Sequence, residues 1–92
     1  MNTAIWAYEA TLNRLFAEAD PVGLAKYGDE EYEGVVGRFM SKISRSSSVT
    51  SIRKALSKSF ATEYYGLCEA DEKALDELAQ HVYEALREAP ID

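Results

Sequence analysis

Apolar residues recur along this chain at spacings of three and four in four separate stretches, and no segment shows the two-residue alternation of a half-buried strand. Ile5, Tyr8, Leu12, Leu15, Phe16 and Ala19 predict a first helix from about Thr3 to Ala19, which Asn2 or Thr3 can cap. Trp6 lies about 100° round from Ile5. It is off the stripe and is expected to be half-exposed or to cover a neighbouring element. Tyr32, Val35, Val36, Phe39, Met40 and Ile43 predict a second helix from near Asp29 to near Ser44. Ile52, Ala55, Leu56, Ser59, Phe60 and Tyr64 predict a third from about Val49 to Tyr65, capped by Ser47 or Ser48. Leu75, Leu78, Ala79, Val82, Tyr83 and Leu86 predict a fourth from about Glu72 to Ala89, with Asp71 as its cap. Gly66 is the expected stop after helix three, with Leu67 packing back on its last turn, and Pro90 ends helix four. The expected fold is all-α: one domain over residues 1–92, a compact bundle of four helices joined by short connections.

The longest break in the helical pattern runs from Asp20 to Tyr32. Pro21 disfavours helical geometry in the residue before it and has no amide to donate. Gly23 permits a turn that a side chain would strain, and Gly28 gives a second break. Leu24, Tyr27 and Tyr32 offer apolar anchors, so a structured loop is expected between helices one and two, with the Asp20 carboxylate accepting amides near Val22 or Gly23. Asp29, Glu30, Glu31 and Glu33 crowd the start of helix two, and Arg38, Lys42 and Arg45 gather toward its end, in agreement with the helix dipole at both ends. Gly34 and Gly37 cost helix stability relative to alanine, which a close crossing by another helix would explain.

Charge changes the picture most. The 92-residue chain carries a net charge of −6, with 10 basic and 16 acidic residues. Its three segments carry −5 over residues 1–37, +6 over 38–58 and −7 over 59–92. A positive island sits between two acidic arms. The balance argues against a dedicated double-stranded nucleic-acid binder, which needs a broad basic surface. No apolar run approaches the roughly 20 residues of a membrane span, and no signal-peptide pattern opens the chain, so a cytoplasmic protein is expected. Cys68 is the single cysteine, which leaves no internal disulfide.

Two constellations can carry function. Asp20, Glu30 and Glu31 with Tyr32 would converge if the loop folds back, and could hold a divalent cation through oxygen. The plainer reading gives Asp20 to its own turn and the glutamates to a helix start. Arg45, Arg53 and Lys54 flank a serine-rich helix start, a setting that suits phosphate, RNA or an acidic partner. The plainer reading has that end of the bundle facing the acidic arms and solvent. His81 lies between Glu77 and Glu84 on helix four, and one histidine with one cysteine makes no typical zinc site. No nucleophile elbow and no Walker-type loop is present, so no catalytic set and no cofactor is expected.

Asp20-Pro21-Val22-Gly23-Leu24, Glu30-Glu31-Tyr32-Glu33 and Tyr65-Gly66-Leu67, in that order, resemble the YugE-like family of small helical bacterial proteins, a family of unknown function. Its pattern has an Asp-Pro-Ile-Gly-type segment, an acidic Asp-Glu-Tyr-Asp-type segment and a Met-Gly-Leu-type ending to a later helix. Here Val22 replaces isoleucine, Glu30 and Glu33 replace aspartates, Tyr65 replaces methionine, and Ala19 stands where an aromatic often does. The resemblance implies an all-helical fold and brings no chemistry. By analogy of fold alone, small acidic helical proteins include toxin-neutralising immunity proteins. The expected function is therefore a non-enzymatic protein-interaction or immunity-like module, monomeric or homodimeric, that meets another protein through complementary charge. The alternative is divalent-metal or anion binding at loop 20–32 or at the start of helix three.

Overall fold

The computed structural model describes residues 6–23, 31–44, 46–64 and 71–88. A 3-10 turn, Trp6–Tyr8, leads into four helices: α1 Glu9–Ala19, α2 Glu33–Met40, α3 Val49–Tyr64 and α4 Glu72–Arg87. No strand occurs among the described residues. The all-α four-helix fold read from the apolar stripes is what the chain adopts. The expectations for Ile5, Leu24, Tyr27, Gly28, Tyr65, Gly66, Leu67, Cys68 and Pro90, and for the side chains of Trp6 and Tyr64, lie outside the described residues.

Local chemistry sets most helix ends. The Asp71 carboxylate accepts from the Lys73 and Ala74 amides at 3.0 and 3.3 Å, an N-cap that fixes the start of α4. The Ser48 hydroxyl accepts from the Ser51 amide at 3.1 Å and caps α3. α1 stops because Asp20 takes the left-handed conformation, with φ 48°, and returns its amide to the Phe16 carbonyl at 2.8 Å. Aspartate bears that geometry better than most side chains.

α2 is the element that differs most from the sequence reading. It begins at Glu33 rather than near Asp29 and ends at Met40 rather than near Ser44. Tyr32 occupies its N-cap position, and the Tyr32 carbonyl accepts from the Val36 amide at 2.9 Å. At the other end the Ser41 hydroxyl donates to the Arg38 carbonyl at 2.7 Å, and the chain turns through Ser41 and Lys42. A serine that bonds the backbone locally competes with helix propagation. The two glycines stand in different surroundings. A Cβ on Gly34 would stand 2.8 Å from Glu63 Oε2, whereas one on Gly37 would meet nothing within 4 Å among the described residues. The nearest atoms to the Gly34 position belong to the flexible carboxylate of Glu63 on α3.

The core is one cluster drawn from all four helices. Phe16 sits at its centre, with ring centroids 5.4 Å from Phe39, 5.8 Å from Phe60 and 6.4 Å from Tyr32. Tyr32 and Phe60 close the group at 6.2 Å, edge to face. Leu12, Val35, Val36, Ile52, Leu56, Leu78 and Val82 are fully buried around it. Ser59 is buried in the same face of α3, with no partner for its hydroxyl among the described residues.

Tie points give the packing order. Tyr8 Oη donates to the Glu88 carbonyl at 3.4 Å, and the Asp71 amide donates to the Pro21 carbonyl at 2.8 Å. α1 and α4 are therefore antiparallel and joined near both ends. Arg53 reaches Glu72 and Asp76, while Arg87 donates to the Ser47 carbonyl at 3.0 Å. α3 and α4 are thus antiparallel too, with α4 starting opposite Arg53. The later part of α3 instead meets α2, where Arg38 Nε lies 2.8 Å from Glu63 Oε1.

Phe39→Ala and Phe60→Ala should each cost about 3–5 kcal/mol in urea unfolding, because each empties part of the aromatic centre. Losses under about 1 kcal/mol would place these rings outside the working core. Gly37→Ala should raise stability by roughly 0.5–1 kcal/mol, since the added methyl meets open space and improves helix propensity. A lowered melting temperature for Gly37→Ala would contradict that reading.

Candidate functional site

The Asp20–Tyr32 constellation comes together, but as a structural junction. Tyr32 is 1 % exposed, and its ring belongs to the aromatic centre. Its hydroxyl donates to Asp20 Oδ1 at 2.5 Å, a length typical of a hydroxyl on a carboxylate. The Tyr32 hydroxyl oxygen also accepts from the Val22 amide at 3.4 Å. The Asp20 carbonyl accepts from the Gly23 amide at 3.2 Å, and Gly23 takes a positive φ of 74°. Pro21 is buried, and its carbonyl holds the start of α4. One turn therefore fastens the end of α1 to the starts of α2 and α4. The Asp20 carboxylate, expected to accept amides of its own turn, also takes the tyrosine hydroxyl. A hydroxyl delivered from the buried face of another element leaves no mark in local spacing.

Glu31 is exposed in the turn before α2, and Glu30 lies outside the described residues. Among the described residues no group of three or more histidine, cysteine, aspartate or glutamate side chains is placed to hold a metal ion.

The positive island divides into two parts. Its two described arginines are engaged by carboxylates of the acidic arms. Arg38 pairs with Glu63, and Arg53 lies 2.7 Å from both Glu72 Oε1 and Asp76 Oδ1 while also donating to Ser57 Oγ. Partial burial pulls the Arg53 guanidinium down, but its hydrogen bonds to Asp76 and Glu72 and their charge outweigh this, so its pKa is raised. An incoming anion would have to displace two carboxylates to reach Arg53. Arg45 lies outside the described residues.

The lysines behave differently. Lys54 and Lys58 are exposed on α3, one turn apart, and form no ion pair among the described residues. They share the outward side of α3 with Thr50, Ser51, Ser57 and Ala61, all exposed. No acidic residue occurs in α3 before Glu63. Beside this face an open groove of about 460 Å³ runs between α3 and α4, lined by Val49, Thr50, Arg53, Lys54, Asp76 and Ala79. Val49 is the one exposed large hydrophobic among the described residues, at 37 %. Lys54 and Arg53 were legible as candidates. Lys58, Val49 and the groove were not, although an acid-free run from Val49 to Thr62 ahead of an acidic helix was the available signal.

A double-mutant cycle tests the junction. Tyr32→Phe should cost about 1.5–3 kcal/mol, the range for a hydrogen bond to a charged group. Asp20→Asn keeps a side chain that tolerates the left-handed conformation, and it should couple to Tyr32→Phe by about 1 kcal/mol or more. Additive losses in thermal unfolding would show that the two side chains do not act together.

No helix among the described residues is long and apolar enough to cross a membrane. No family model matches the chain, and no curated protein and no solved structure matches it either.

Proposed function

We propose that the protein is a non-enzymatic interaction module that presents the outward side of α3 to an acidic surface of another protein. The observation that carries this is the division of the positive island. Arg38 and Arg53 are neutralised within the fold, whereas Lys54 and Lys58 stand together on α3 with no carboxylate of the chain set against them among the described residues. Charges left this way act mainly on partner choice and association rate. The reading also rests on the absence of any catalytic set in the sequence. A YugE-like relationship, as a proposal from the three quoted motifs, is compatible with it and adds no activity.

The double variant Lys54→Glu/Lys58→Glu should lose roughly tenfold in capture of its acidic partner at low salt, with circular dichroism unchanged. Capture by the wild type should weaken as salt rises to about 0.15 M, where screening sets in near 8 Å. Arg14→Glu, which reverses an exposed cation on α1, is the control and should keep full capture. Equal capture by the α3 variant and the wild type would end the proposal.

A further inference from the structure

Resting on that reading, we infer that the partner segment is an amphipathic helix that lays carboxylates against Lys54 and Lys58 and sets an apolar side chain in the α3–α4 groove. Three features lead to this. First, Lys54 and Lys58 are about 6 Å apart along the axis, the distance between carboxylates at positions i and i+4 of a facing helix. A helix can offer that spacing rigidly, whereas an extended strand places same-side residues at about 6.6 Å and then twists away. Second, the residues around the two lysines are small: Thr50, Ser51, Ser57 and Ala61. They let a helix approach closely while the lysine stems lie along its flanks. Third, charge does not account for Val49. It is exposed at 37 % at the edge of a groove that also includes Ala79. Arg53, held by Glu72 and Asp76, forms a fixed polar rim there rather than a cation seeking a partner. An apolar anchor in a groove with charge pairs at its rim is the way amphipathic helices are held.

The test uses the full chain, labelled with nitrogen-15, and three synthetic probes at low salt. The first is a helical peptide of about 15 residues, roughly 22 Å long. It carries glutamates one turn apart and leucines on the adjoining stripe. The second has every leucine replaced by serine, and the third is a single-stranded RNA oligonucleotide. The leucine peptide should shift amide resonances of Val49, Thr50, Lys54, Lys58 and Ala79. Replacing leucine by serine, or Val49 by aspartate in the protein, should weaken binding about tenfold, the size of one lost apolar anchor. Val49→Asp alters an exposed residue, and its circular dichroism should match the wild type. Equal binding of the leucine and serine peptides would overturn the helical-anchor inference and leave the charge reading standing. So would shifts confined to other faces, or no shift at all with the leucine peptide. Tighter binding by the RNA at the same amides would overturn both. Loss of capture by Lys54→Glu/Lys58→Glu is read separately, so the two ideas fail in different experiments.

Discussion

The hydrogen bond from Tyr32 to Asp20 links decisions made in three parts of the chain. The Tyr32 ring is buried between Phe16 and Phe60, while its hydroxyl reaches the residue that stops α1. A phenol is suited to this, with a large apolar body and one polar end that needs a partner when buried. The Asp20 turn then passes the constraint on, because the Pro21 carbonyl takes the Asp71 amide at the start of α4. Without it the aromatic centre could still collapse, but the direction in which the chain leaves α1 would be held by fewer bonds.

The use of arginine and lysine in the island follows from their chemistry. Arg53 satisfies Glu72, Asp76 and Ser57 at once, which a forked guanidinium does and an ammonium does less well. Its carboxylate partners are 80 % and 70 % exposed, so each pair contributes at most about 0.2–1 kcal/mol. With the Arg38–Glu63 pair, they engage two cations of the island, while Lys54 and Lys58 form no ion pair among the described residues.

The helices were legible because periodicity reports burial directly, and Leu12, Phe16, Phe39, Leu56, Phe60, Leu78 and Val82 are all buried as their spacing demands. Asp71 and Ser48 were legible because a cap acts within three residues. The ends of α2 were not. The glutamates that mark a helix start by charge also suit a turn, and Ser41 works against the helix through one local bond. The role of Tyr32 was half legible. Its place on the apolar stripe was clear, but the partner of its hydroxyl depended on how α1 and α2 cross. Spacing alone assigns the Asp20 carboxylate to nearby amides, and its bond from the Tyr32 hydroxyl follows only from the packing. The α3–α4 groove depends on the offset between two helices and has no single-sequence signature.

The pairing of α1 with α4 brings Tyr8 to Glu88, so the first and last described stretches of chain lie side by side. Tension applied across these two stretches would load that contact first. It would open α1 from α4 like a zipper, one turn at a time, rather than sliding one helix past the other against many bonds at once. The Asp71 to Pro21 bond, at the far end of the same helix pair, would be the last of the two ties to feel the load.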